Sequence, residues 1–208
     1  MAGRVAVFFD YQNVYRRARG AFALEDEPGN RGHVNPLALA EVIVQQGLPD
    51  RYLSEVRVYR GQPDATKDPR GYTAATRQVA AWAKLPKVKV ITRTLRYPPN
   101  WPNCLERPQE KGIDVALAVD FVTSAINGAY DIGIVMSVDT DLKPALEAVA
   151  RINSNYHPRC EVAAWSPTKK GAYGRRLSID NANLWCHWLD KSVFDSVADT
   201  KNYLSVRP

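Results

Sequence analysis

DIGIVMSVDTD, Asp131 to Asp141, is the stretch that decides the fold. Its first half is a short apolar run of Ile, Val and Met, which reads as a buried strand of a parallel sheet. Asp139 and Asp141 stand just past the point where that run stops. VAVFFD, Val5 to Asp10, repeats the arrangement near the start of the chain. A carboxylate at the carboxyl end of such a strand faces the crevice in which open α/β sheets bind ligands. Asp114, in KGIDVALAVDFV, opens a helix, where the dipole favours an anion. Carboxylates that converge repel one another unless a cation or a proton holds them together, and a divalent metal is the simplest resolution.

Working outward, strand and helix signals alternate, which predicts a parallel sheet built from crossover units. The pattern gives five strands: Val5 to Asp10, Glu55 to Tyr59, Val88 to Thr94, Asp131 to Met136 and Cys160 to Trp165. Helices are expected over Gln12 to Ala21, Tyr72 to Lys84, Ile113 to Ile126 and Asp141 to Ile152. Asn35-Pro36 supplies a cap and a first-turn proline for another helix through Gln46. A closing helix is expected over Ile179 to Leu189, with Trp185 and Trp188 in the core. YPPNWPNCLERPQEKG, Tyr97 to Gly112, can continue neither element. No internal repeat is present. The expectation is one domain over residues 1–208, with a core of about 5–189 and a C-terminal extension of 190–208.

The 208 residues suffice for one α/β domain with a real core. A formal net charge of +6 and a pI near 9.3 leave room for a polyanionic partner without requiring one. Cys104, Cys160 and Cys186 are odd in number and form no CxxC pair. They argue against a disulfide framework or structural zinc, and for a reducing cytoplasm. No run approaches the ~20 apolar residues of a membrane span.

Magnesium and manganese prefer carboxylate oxygens and retain several waters, so two to four Asp side chains suffice. Asp139 and Asp141 are i and i+2, and in extended backbone both face the same way. Each carboxylate also has a structural reading: Asp114 as a helix-terminal charge and Asp139 as an N-cap. Asp10 has the weakest one, because a buried strand end rarely keeps an unpaired carboxylate. Asp120 falls on another face of its helix from Asp114 and reads as structural. Asp131 begins a strand at the opposite edge and reads as a turn residue.

FFDYQNVY, KGIDVALAVDFV, YDIGIVMSVDTDLKPALEAV and RRLSIDNANLW together resemble the NYN domain, of the LabA-like kind, within the PIN-like nuclease superfamily. The resemblance spans roughly Val5 to Leu189. It rests on Asp-x-x-Asn after strand one, Lys-Gly-x-Asp opening a helix, and Ser-x-Asp-x-Asp after a later strand. It implies a three-layer α/β/α fold, Mg²⁺ or Mn²⁺ dependence and ribonuclease activity. It carries metal-binding and catalytic roles onto Asp10, Asp114, Asp139 and Asp141, and site roles onto Asn13, Lys111 and Ser137. Asn13 would hydrogen-bond a carboxylate or the attacking water, Lys111 would steady the scissile phosphate, and Ser137 would orient a carboxylate. Val138 stands where the family often has Gly. A turn needing positive φ would be strained by a β-branched residue there, whereas an extended turn tolerates it.

The loops after strands two, three and five should open on the same edge as the acidic cluster. They hold Arg60, Lys67, Arg70, Arg93, Arg96, Arg107, Lys111, Lys169, Lys170, Arg175 and Arg176. Those eleven cations face four acids (Asp64, Asp68, Glu106 and Glu110), a stronger bias than the whole-chain 28 to 22. Basic loops around an acidic centre suit a phosphate backbone that reaches metal at one point. Tyr97, Trp101 and Tyr173 lie among them, placed to stack on unpaired bases of single-stranded or structured RNA. SPTKKGAYGRR, Ser166 to Arg176, has four cations and no acid, and reads as a phosphate-tracking loop. The expected function is a metal-dependent ribonuclease. The alternative is a non-cleaving module with a nuclease-like fold that binds RNA or a protein, and the oligomeric state, homo-oligomer included, stays open. The missing Asp-x-Asp after strand one, with Gln12 at its second place, disfavours an aspartyl-phosphate phosphotransferase, and no G-x-G-x-x-G marks a dinucleotide enzyme.

Overall fold

The computed structural model describes residues 2–152, 159–168, 174–180 and 182–205. Its elements run β1 (Gly3–Asp10), α1 (Tyr11–Ala21), α2 (Pro36–Gln45), β2 (Arg51–Gln62), α3 (Pro69–Trp82), β3 (Val88–Thr94) and α4 (Ile113–Ile126). There follow β4 (Ile132–Met136), a 3₁₀ turn (Thr140–Leu142), α5 (Lys143–Ala150), β5 (Arg159–Trp165), β6 (Trp185–Leu189) and α6 (Lys191–Val197).

The strands form one sheet in the order β3-β2-β1-β4-β5-β6, and every pairing is parallel. Chain order runs outward from β1 in one direction and outward from β4 in the other. β1 and β4 therefore flank the point where strand order reverses, and the crevice beyond their carboxyl ends is where such sheets take ligands.

Alternation along β1 divides the core. Val5, Val7 and Phe9 pack on one side with Tyr11, Val14, Leu39, Ile43, Trp82 and Phe194. Ala6 and Phe8 pack on the other with Leu117, Phe121, Leu146 and Val149. Helices α1, α2, α3 and α6 thus cover one face and α4 and α5 the other, which gives three layers. Successive residues of a strand point to opposite faces, so Asp10 follows Ala6 and Phe8 toward α4. The local signals read from sequence act as expected. Asn35 accepts from the Leu37 and Ala38 amides at 3.0 and 3.2 Å, and Pro36 opens α2.

Several expectations are corrected. The sheet has six strands, because Trp185–Leu189 is the edge strand β6 rather than the end of a closing helix. Trp185 and Trp188, expected in the core, are 62% and 42% exposed, while His187 and Leu189 point inward. His187 tolerates that position because its Nε2 lies 2.7 Å from Glu161 Oε2 on β5. The expected helix over Asp141 to Ile152 begins as the 3₁₀ turn and is α-helical only over Lys143–Ala150. Helix α6, unforeseen, sets Phe194 against Phe22 and Trp165.

Among the described residues, no helix is long and apolar enough to cross a membrane.

Candidate active-site cleft

Asp10 ends β1 and caps α1, so one residue serves the strand, the helix and the cleft. Its Oδ1 accepts from the Asn13 amide at 3.1 Å, and its Oδ2 accepts from Ser137 Oγ at 2.8 Å. Ser137 follows β4, and its Oγ in turn accepts from the Asp139 amide at 3.0 Å. Asn13 closes the circuit: its Oδ1 accepts from the Val138 amide at 3.2 Å. The ends of the two central strands are tied through these side chains, which leaves little freedom for Asp10 or for the turn carrying Asp139. Val138 causes no strain there. The described non-glycine residues with positive φ are Ala23, Asp50 and Lys87, so the turn takes the ordinary backbone that a β-branched residue tolerates.

A cleft of about 700 Å³ opens at this point. Asp10 lines it from the end of β1, Asp139 from just beyond β4, Asn13 from the first turn of α1, and Asp114 and Ile113 from the start of α4. Gly112 permits that approach. It caps α4 in the left-handed region, at φ 72°, where a side chain would be strained. Asp141 lies outside the lining: it is exposed, and its amide donates to Asp139 Oδ1 at 3.1 Å. Asp120 accepts from the Tyr59 hydroxyl at 2.7 Å and faces Arg57 at 3.6 Å, a structural engagement away from the cleft. Asp131 pairs with Arg4 at the other end of the sheet.

The lining also holds residues to which the sequence reading gave no site role, namely Gln12, Arg16, Arg17, Gln109 and Glu110. Arg16 and Arg17 are three and four residues beyond Asn13 on α1, on the same helical face, and that spacing was a readable signal. Glu110 had none. It approaches because Gly61 offers no side chain to block it, and its Oε1 accepts from the Gly61 amide at 2.5 Å.

Burial and repulsion shape the electrostatics. Burial is the largest influence pushing the Asp10 carboxyl above the ordinary carboxylate range, the Ser137 and Asn13 hydrogen bonds pull it back, and Asp139 and Asp114 push it up again. Burial likewise raises Glu110, against its Gly61 hydrogen bond, and Asp10 adds to the rise. No carboxylate of this group has a cation within ion-pair distance among the described residues. Nor do three acidic, histidine or cysteine side chains gather there closely enough to hold a metal ion as they stand.

The expected basic rim is placed in part. Arg107 lines the cleft. Arg93 is exposed near Gly112, Arg96 is exposed with its backbone bridged to Gln109, and Lys111 is exposed outside the lining. Arg175 and Arg176 are exposed, and Arg176 donates to the Leu184 carbonyl at 2.8 Å. Lys169, Lys170 and Tyr173 lie outside the described residues. Tyr97 is buried, its hydroxyl accepts from the Asp64 amide, and its ring meets Trp101 edge-on at 5.5 Å, so it packs the loop.

A family model for the NYN domain matches residues 4–164. This chain belongs to the NYN family. The NYN domain is a member of the PIN-like nuclease superfamily, and its matched region ends within β5, so every acidic residue of the cleft lies inside it. The structure is also similar to the crystal structure of a protein of unknown function from Vibrio parahaemolyticus RIMD 2210633. The two are 17% identical over 78% of this chain and 81% of that one, with a TM-score of 0.48. No curated protein matches the chain.

Proposed function

We propose that this NYN protein hydrolyses RNA phosphodiester bonds with the help of a divalent cation. The observation that carries the reading is the cleft itself: Asp10, Asp114, Asp139 and Glu110 share one pocket with Arg16, Arg17 and Arg107. Carboxylates raised by burial and by one another are what a cation would relieve.

The donor set suits Mg²⁺ or Mn²⁺, which keep several waters and need only one or two carboxylates from the protein. Asp10 and Asp139 would hold the ion, with Asp114 and Glu110 reaching it directly or through water and Asp141 at the rim. When bound, it would polarise the phosphate and lower the pKa of an attacking water. The chain's own residues do the rest. Ser137 and Asn13 fix the Asp10 carboxylate, Asn13 also fixes the Asp139 turn, and the arginines hold phosphates beside the acids as charge-assisted donors.

One observation favours the second reading, an RNA- or protein-binding module that does not cleave. The acids are not gathered into a closed metal cage as they stand. Purified protein incubated with labelled RNA and Mn²⁺, Mg²⁺ or chelator separates the two. Cleavage that needs the metal and falls ~10²-fold or more in Asp139→Asn supports the enzyme. Chelator-resistant cleavage, or cleavage unchanged in Asp139→Asn, refutes it, and RNA binding without cleavage under either metal establishes the binder.

A further inference from the structure

On the sheet face opposite Asp10, at the same carboxyl end, lies a second pocket of about 380 Å³. Arg60 enters it from β2, Gln78 from α3, and Lys201 and Asn202 from the segment after α6. Gly71, Ala74 and Ala75 form a wall of small residues, which leaves the space open.

Arg60 is unusual in this protein. Its guanidinium is stacked near the Tyr11 and Trp82 rings, at 5.8 and 5.6 Å to their centroids, and its NH1 donates to Gln78 Oε1. Among the described residues no carboxylate lies within ion-pair distance of it. The inward-facing Arg51, by contrast, has Glu161 at 2.9 Å. Arginine cannot shed its proton to escape burial, so a counter-ion is the usual remedy. Gln78 adds a second, independent sign. The residue is 3% exposed, and while its Oε1 is used by Arg60, its Nε2 is a buried donor with no partner. A buried unpaired amide donor is costly and calls for an acceptor. One anion in the pocket would meet both needs, with Lys201 at the mouth adding charge.

We infer that this pocket is a phosphate-binding site formed by Arg60, Gln78 and Lys201. A phosphoryl group fits the donors: a planar fork on one side, an amide N–H on another and an ammonium at the rim. Its source is either a backbone phosphate of an RNA strand crossing the carboxyl edge of the sheet from the acidic cleft, or a free nucleotide. The RNA source rests on the function proposed above, whereas the phosphate site does not.

The test is thermal melting of the full chain in inorganic phosphate against chloride at matched ionic strength. Phosphate is expected to raise Tm saturably, because a ligand that binds only the folded state stabilises it. Gln78→Glu places a carboxylate beside Arg60 and replaces the anion from within. It should stay folded in chloride and lose the phosphate response. Lys201→Met, at the exposed rim, should weaken phosphate binding several-fold without changing the melt in chloride. Absence of a phosphate-specific rise in the wild type, or an equal rise in Gln78→Glu, overturns the inference.

The source is then read by titrating single-stranded RNA and a mononucleotide into Asp139→Asn and Asp139→Asn/Gln78→Glu. Weaker RNA binding in the double variant assigns the pocket to the RNA strand. Weaker mononucleotide binding with RNA affinity unchanged assigns it to a free nucleotide. Neither arm needs metal or cleavage, so failure of the nuclease assay leaves this result standing.

Discussion

Glu161 on β5 is buried and Asp10 at the end of β1 is half-buried, and the protein treats the two carboxylates differently. Burial alone would raise both. Around Glu161 the His187 hydrogen bond and the Arg51 contact outweigh it and hold the carboxyl below its ordinary range. Around Asp10 no cation of the described residues comes within ion-pair distance; Ser137 and the Asn13 amide only partly offset burial, and the neighbours Asp139 and Asp114 repel, so the carboxyl stays above its range. Arg51 and Glu161 side chains are 4% and 7% exposed, a closed pair that joins the start of β2 to β5. The amino end of the sheet is neutralised from within. The carboxyl end keeps an unmet charge facing solvent, and that is where a ligand has something to gain.

The sharpest way to break this contrast is Glu161→Ala. It would leave Arg51 buried without its acid, and losing one partner of a buried pair costs ~3–5 kcal/mol. A denaturant or thermal melt should show that loss in full. A loss below ~1 kcal/mol would mean the pair is more hydrated than its geometry implies. Because the Glu161 carboxyl is held low, its contribution is present above the ordinary carboxylate range and is lost as pH falls through the lowered value.

Asp10→Asn should do the reverse. The raised carboxyls of Asp10 and Glu110 contribute fully below the ordinary range, and that contribution is lost as pH rises through their raised values. Removing the Asp10 charge should therefore raise Tm at neutral pH, on the scale of the ~2–4 °C that one kcal/mol makes in a protein of this size. It should also flatten the decline of stability between acid and neutral pH. A Tm that falls at neutral pH would show that the Ser137 and Asn13 hydrogen bonds outweigh the repulsion. Any metal-dependent cleavage should be lost in the same variant, which separates what the site does from what holds the fold.

The smallest effect concerns the rim. Replacing Arg16, Arg17 and Arg107 with Ala should leave the melt nearly unchanged and lower the salt slope of single-stranded RNA binding, by up to ~0.7 per lost phosphate contact. An unchanged slope would show that these arginines only solvate the cleft mouth.

Much of this was readable from the chain. The apolar runs ending in Asp10 and before Asp139 gave the two central strands, and Asn35-Pro36 and Lys111-Gly112 marked real helix starts. Pattern reading failed at β6. WCHWL turns its tryptophans outward and its histidine inward, opposite to the usual partition, and only the Glu161 partner on another strand makes that stable. It missed Glu110, whose approach depends on a missing side chain at Gly61, and at Asp141 a 3₁₀ turn replaces the extended backbone on which the i, i+2 reading relied. β6 and Glu110 share one cause: a local pattern cannot report a partner that is distant in sequence.

The hydrogen bond from Ser137 to Asp10 spans 127 residues of chain. During synthesis β1, β2 and β3 can emerge and pair while Asp10 still lacks Ser137, Asp139 and Asp114 around it. The cleft comes into being only when β4 docks beside β1, after β2, β3 and α4 have been made. A protein proposed to attack RNA is thus built so that its nascent chain, held against a ribosome and a message, carries no assembled cleft until β4 and the turn after it have emerged.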